Sequence, residues 1–306
     1  MKVAYLFPGQ GAQAVGMGKD LYEKYESAAR VFDEAESVLG RPIKDLIFEG
    51  PAQELTLTKN SQPALAIMSL ATLAAIQQTL GDRFPKAEYM AGHSLGEYPA
   101  LAASGALTSA DAIRLVGERG RLMYEAGLEI PGTMAAIIAL SKEAVAEVCE
   151  GSGIYIANLN CPGQIVVSGE KEKVLAARPH FRAKGAKLVI PLQVSGAFHS
   201  PVIRAAADGL RPLIEQADIR VPQVPVIGNT EAKPLETTKQ IRSELVNQVC
   251  ASVLWEDTIR YLIAQGVDTF IEIGAGRTLC DLIARTDPTV KTLSIGKVED
   301  IESFSL

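Results

Sequence analysis

Near the start of the chain, Val3 to Phe7 form an unbroken apolar run that stops at Pro8-Gly9. A strand with one wet face alternates apolar and polar side chains. A continuous run instead reads as a strand covered on both faces, the habit of a parallel sheet. Runs of this kind recur in "VPVIGN" near Val226, in "DTFIEIG" ending at Gly274, and in "KTLSIG" ending at Gly296. Helical patterns lie between them, among them Ser109 to Gly127 and Thr258 to Gln265. This alternation predicts an α/β fold built on a mostly parallel sheet.

The middle of the chain reads differently. "MAAIIAL" (Met134 to Leu140) predicts a strand, and "SKEAVAEVCE" a helix with Ser141 as its N-cap. "IYIANLN" and "QIVVSG" predict two strands joined by the turn "CPG". "EKEKVLAARPHFRAKG" resembles a helix that Pro179 should kink or divide, and "AKLVIPLQV" closes as a strand. The order β-α-β-β-α-β is the ferredoxin-like unit. A small domain over residues 130–195 is therefore expected, inserted into a larger one made of residues 1–129 and 196–306.

The chain has 306 residues, 47% hydrophobic and 22% charged, enough for a large core. A net charge of -6 argues against nucleic acid as a bulk partner. The first residues are too short an apolar run for a signal peptide. The longest apolar stretch, Ala64 to Leu80, is polar-interrupted and reads as a buried helix rather than a membrane span. Cys149, Cys161, Cys250 and Cys280 are far apart with no Cys-x-x-Cys, which fits free thiols in a reducing, cytoplasmic setting.

Chemistry concentrates at "MAGHSLGEY". Gly92-His93-Ser94-Leu95-Gly96 is the Gly-x-Ser-x-Gly pattern of a nucleophile elbow, a turn so tight that side chains at Gly92 and Gly96 would collide. The pentapeptide also arises by chance in a chain with 26 glycines, but a strand before it and a helix after it favour the elbow. Serine is a weak nucleophile and needs a base. Of the three histidines, His93 adjoins Ser94 and should project away, and His180 lies in a basic, solvent-facing stretch. His199 falls where the small domain returns to the large one, beside a cleft, and is the favoured base. No acidic third member can be assigned; Asp111 and Glu118 stay open, and a backbone carbonyl could orient the imidazole instead. In the Ser109–Gly127 pattern, Arg119 lies on the apolar stripe of Ala112, Leu115, Val116 and Met123. A cation there needs an anion, either a structural carboxylate or the carboxylate of a substrate.

Several stretches resemble the malonyl-coenzyme A:acyl carrier protein transacylase family, in family order over nearly the whole chain. They are "FPGQGAQ", "SQPALAIMS", "GHSLGEY", "ERGRLM", "NLNCPGQIVVSG", "GAFHS" and "FIEIGAG". The resemblance implies an α/β-hydrolase-like large subdomain, a cytoplasmic monomer, and no metal or cofactor. Malonyl-coenzyme A and acyl carrier protein are the implied partners. Ser94 would be acylated, with His199 as base and the N–H groups of Gln10 and Leu95 as oxyanion hole. Arg119 would hold the malonyl carboxylate. The backbone carbonyl of Gln248 would orient His199, and Asn160 would be a polar cleft residue. Phe198 matches the malonyl-selective form of its motif, where a bulky ring crowds an α-methyl branch. The chain departs from the family at Ala275, Ser252 and Leu254; the last puts a coenzyme A phosphate contact in doubt. Because carrier proteins are typically acidic and this chain is too, docking would need a local basic patch. Arg178, Arg182, Lys184 and Lys187 supply one, expected next to the cleft, although a solvated helix face reads the same way. Two other functions share parts of the pattern. A serine hydrolase would use the elbow but not Arg119, and a non-catalytic carrier-binding module would need neither Ser94 nor His199.

Overall fold

The computed structural model describes residues 1–194 and 196–305; the expected domain boundary at Ser195 lies outside them. β1 (Val3–Phe7) forms the centre of a five-stranded parallel sheet. The order is β7 (Val226–Ile227), β2 (Tyr89–Gly92), β1, β8 (Thr269–Ile273), β9 (Lys291–Ile295). β1 and β8 are buried along their whole length, as their continuous apolar runs require. The two edges depart from that pattern. β9 is fully buried only at Ile295, and β7 is two residues long. After Ile227 the chain doubles back, with the Gly228 amide donating to the Lys233 carbonyl and the Leu235 amide to that of Val226. Those groups are spent on a local turn and cannot extend a ladder.

Phe7 pairs with Gly92 in the β1–β2 register. The loop carrying Gln10 and the turn carrying Ser94 therefore leave the sheet side by side at its carboxyl edge, where open α/β sheets place their sites. The helix Thr58–Leu80 is apolar almost all round and lies buried against the helix Ser109–Glu129. The two approach closely at Gly120, where a Cβ would stand 2.8 Å from the Thr58 carbonyl. Pro63 removes an amide from the first helix, leaving the Lys59 carbonyl without its helical donor. Arg41 Nη2 donates to it at 2.8 Å.

The second sheet is antiparallel, in the order β4 (Tyr155–Cys161), β5 (Gln164–Glu170), β3 (Gly132–Ile138), β6 (Leu188–Pro191). With the helices Lys142–Ser152 and Lys171–Ala183 it is the β-α-β-β-α-β unit. Ser141 caps the first helix by accepting from the Ala144 amide. Alternation along β3 divides its two faces. Ala135 and Ile137 pack with the two helices, whereas Met134 and Ala136 join the main core.

The helix Lys171–Ala183 is not divided at Pro179. The carbonyl left without a helical donor is that of Leu175, a residue 42% exposed. The expectation that the basic run lies next to the cleft needs correction for Arg178 and Arg182, whose helix packs on the face of the small sheet turned away from the main core. Lys184 pairs there with Glu147 of the neighbouring helix.

A short segment ties the sheets together. The Leu159 amide donates to Val253, Val253 to Ala157, and Leu254 to Asn229, at 2.8–2.9 Å.

Candidate active site

β2 ends at Gly92, and Ser94 sits at φ 53°, the left-handed region that an L residue enters only under constraint. The constraint is steric. A Cβ on Gly92 would lie 1.9 Å from the Gly96 carbonyl oxygen, and one on Gly96 2.1 Å from that of Phe7. Asn229, just after β7, locks the turn from outside. Its Oδ1 accepts from the Ser94 amide at 2.7 Å and its Nδ2 donates to the Gly92 carbonyl at 2.8 Å. The 3-10 turn Ser94–Gly96 then leads into the helix Glu97–Ala103.

Ser94 Oγ lies 2.8 Å from His199 Nε2, and both residues are buried. His199 also has a left-handed backbone, at φ 55°. Its Nδ1 is 2.8 Å from the Gln248 carbonyl and 3.2 Å from that of Ala251. Carbonyls only accept, so Nδ1 carries the proton and Nε2 offers its lone pair to the serine hydroxyl. Burial, and then the nearby Arg119 charge, lower the imidazole to about 3, so it is neutral and able to take a proton. The two acids left open by the sequence are elsewhere. Asp111 bonds Thr108 and Arg114, and Glu118 bonds Arg121. His180 is exposed. His93 points away from Ser94, packing on Trp255 and bonding Asn160 Oδ1 at 3.0 Å.

Arg119 is 1% exposed and reaches the same serine. Its Nη2 donates to Ser94 Oγ at 3.0 Å and to Gln248 Oε1 at 2.8 Å, and its Nη1 donates to Gln62 Oε1 at 2.7 Å. All three acceptors are uncharged, and Nε has no partner among the described residues. Of the two anions the sequence left open, a structural carboxylate is not among those acceptors.

Gln248 connects the cluster. Besides its carbonyl on His199 and its Oε1 on Arg119, its Nε2 donates to the Ser94 carbonyl at 2.9 Å and to Glu97 Oε2 at 3.1 Å. Glu97 is fully buried and also accepts from the Asn229 amide, while its Oε1 has no partner among the described residues. Burial, and then the neighbouring Glu244, raise its carboxyl well above the ordinary range. Glu244 is itself buried and bonded to the Thr230 amide and hydroxyl.

The structure thus brings Ser94, His199, Arg119 and Gln248 into one hydrogen-bonded cluster. Asn160 reaches its rim through His93. Gln10 follows Gly9, where a Cβ would stand 2.7 Å from the His93 carbonyl, so its loop presses on the elbow. Leu95 is buried beneath the turn, and the buried Phe198 ring packs on Gly196. Sequence reasoning missed Gln62, Glu97, Asn229 and the side chain of Gln248. Only Glu97 left a trace, as an acid directly after the elbow, where it passes for a surface residue complementing a helix dipole.

The acyl transferase domain family matches residues 4–301. The malonyl CoA-acyl carrier protein transacylase of Bacillus subtilis is 44% identical over 306 residues, covering 98% of this chain and 95% of that protein. The crystal structure of the acyl-carrier-protein-S-malonyltransferase of Bartonella henselae superposes with a TM-score of 0.94 at 41% identity, over 99% of this chain and 98% of that one. A malonyl-transacylase in complex with its type II polyketide acyl carrier protein superposes at 0.93 with 36% identity, over 99% and 98%.

Proposed function

The chain belongs to the acyl transferase family, among the malonyl-coenzyme A:acyl carrier protein transacylases, and from that premise we propose how its residues divide the reaction. It is an acyltransferase that moves a malonyl group from malonyl-coenzyme A to the phosphopantetheine thiol of acyl carrier protein, in fatty acid or polyketide synthesis.

In this reading His199 takes the Ser94 proton and Ser94 Oγ attacks the thioester carbonyl. The oxyanion is received by the N–H groups of Leu95 and Gln10. The Ser94 amide is already committed to Asn229, which favours the next amide for that role. Coenzyme A leaves as the thiol, and the carrier thiol repeats the sequence on the malonyl ester. No oxidation state changes, so the chemistry calls for no redox group, and the dyad supplies the proton transfers without a metal. Arg119 pairs with the malonyl carboxylate, Phe198 limits the acyl pocket, and Asn160 lines the cleft through its bond to His93. Residues 1–129 and 196–306 carry the chemistry, with 130–195 as a smaller unit closing one side. Docking of the carrier on Arg178, Arg182, Lys184 and Lys187 rests on their charge. A cytoplasmic monomer is the expected setting.

The observation that carries this reading is a buried guanidinium, with no carboxylate among its hydrogen-bond acceptors, 3.0 Å from an elbow serine that is paired with a neutral histidine. A hydrolase passing acyl groups to water has no use for it. Competitive acylation by malonyl, methylmalonyl and acetyl thioesters, read by intact mass, tests the assignment. Wild type should gain one malonyl group and Ser94→Ala none. Arg119→Ala should lose roughly 10- to 150-fold on malonyl-coenzyme A, the equivalent of about 1.5–3 kcal/mol for a charge-assisted bond. Equal losses on malonyl and acetyl would make Arg119 a structural residue.

A further inference from the structure

Arg119 touches more than a substrate carboxylate would require. Its Nη2 donates to the same Ser94 Oγ that lies 2.8 Å from His199 Nε2. A buried guanidinium whose acceptors are all neutral is an unfinished ion pair. The groups facing it do not finish it. The helix Glu97–Ala103 contributes Glu97 and Tyr98, whose ring centroid is 6.0 Å from Arg119 Cζ. The helix Thr238–Asn247 contributes Glu244 beside Glu97, and the elbow contributes His93 near His199. Burial shifts both carboxyls upward, towards the neutral acid, and lowers His93, towards the neutral imidazole. Among the described residues no carboxylate is hydrogen-bonded to the guanidinium, so it stands beside the dyad without a direct counter-ion.

We propose that Arg119 couples recognition to activation of the nucleophile. Without a carboxylate its guanidinium holds Ser94 Oγ and opposes positive charge on His199; a bound dicarboxylic acyl group takes over that hydrogen-bonding face and cancels the charge. This rests on the reading of Arg119 as the partner of the malonyl carboxylate. In acylation the hydroxyl proton passes to His199 Nε2, Oγ bonds the thioester carbon, and the C–S bond breaks. The departing thiolate then takes the proton from Nε2. Midway through, the imidazole is a cation beside a cation. A carboxylate on Arg119 removes that repulsion for the acyl group the enzyme is built to move. Acetyl and other neutral acyl groups meet a less basic His199, so selection acts on the rate of acylation as well as on binding.

Methanesulfonyl fluoride, a small neutral reagent that needs the dyad but carries no carboxylate, provides the test. Its rate of Ser94 sulfonylation is followed against pH in wild type, Arg119→Gln and Arg119→Lys. The acid limb should move up by about one to three pH units in Arg119→Gln, as expected when a close like charge is removed. Arg119→Lys keeps the charge and should keep the wild-type limb. One common limb in all three proteins overturns the proposal. Should Arg119→Gln fail to fold, wild type alone supplies a second arm. Single-turnover acylation by malonyl-coenzyme A should show its acid limb at higher pH than acylation by acetyl-coenzyme A, and coincident limbs overturn the proposal. The carboxylate reading itself fails by a different sign, equal losses of malonyl and acetyl transfer in Arg119→Gln, wherever the limbs lie.

Discussion

Glu97 shows how one residue behind the site sets what the site can do. Its carboxyl is buried, accepts two hydrogen bonds on Oε2 and none on Oε1, and shares its surroundings with Glu244. It holds Gln248 and Asn229, and burial together with Glu244 pushes it towards the neutral acid, which weakens any pairing with Arg119. The linkage has a definite sign. With its value raised above the ordinary 4.5 in the fold, Glu97 keeps a proton that the unfolded chain has released. Its contribution to stability therefore falls as pH rises above that point, by up to about 1.4 kcal/mol per pH unit. His199 acts in the opposite sense. Lowered from 6.5 to about 3, it refuses a proton that the unfolded chain accepts, so its contribution is lost as pH falls through that window. Glu97→Gln keeps a neutral amide and removes the titration. Its urea midpoint should gain on wild type as pH is raised from about 5 to about 8. Parallel pH dependence in the two proteins would mean that Glu97 is ionised in the fold.

The strand–turn–helix around Ser94 is set by two glycines and one distant asparagine. Asn229 satisfies both the Ser94 amide and the Gly92 carbonyl, groups that lie beyond the reach of either sheet ladder or helix. Asn229→Ala should cost about 1–3 kcal/mol of stability for each buried group left unpaired. Acylation should slow more than tenfold with little change in KM, because the turn loses aim rather than affinity. Stopped-flow acylation beside a denaturant curve separates the two effects; a normal acylation rate would mean that Gly92 and Gly96 hold the turn alone. This element also marks how far the sequence could be read. The glycines are compelled by contacts near 2 Å and so are visible as a motif, and three histidines made His199 findable by elimination. The Arg119 stripe showed because helical spacing is periodic. Asn229, Gln62 and the Gln248 side chain act across 135, 57 and 154 residues, from positions that no local period singles out. The edge strands were overestimated for a related reason. An apolar run reports burial, but the two-residue β7 is limited by where its amides go.

At the scale of the molecule the two sheets have separate faces and separate tasks. β3 turns Met134 and Ala136 to the main core and Ala135 and Ile137 to its own helices, so Arg178 and Arg182 on Lys171–Ala183 lie behind the small sheet. A carrier docked there would straddle that sheet to deliver its thiol. Reversing Arg182 and Lys184 to Glu should raise KM for acyl carrier protein about three- to tenfold, more at low salt, and spare acylation by malonyl-coenzyme A. Unchanged carrier kinetics would place the dock on another face. Gln248 donates to the Ser94 carbonyl across 154 residues, and Val253 and Leu254 bond β4 and the Asn229 loop. The segment that aims the base is thereby also the seam between the two sheets.

Ser94 and His199 are both held at left-handed backbone angles, 53° and 55°. Neither residue adopts such an angle when left to itself, so the surrounding structure imposes it. A copy that loosens at the seam should relax both backbones together, parting hydroxyl from imidazole while most of the core is still packed. Mild denaturant should therefore silence acylation before the core unfolds, which activity and a folding probe followed in one titration would check.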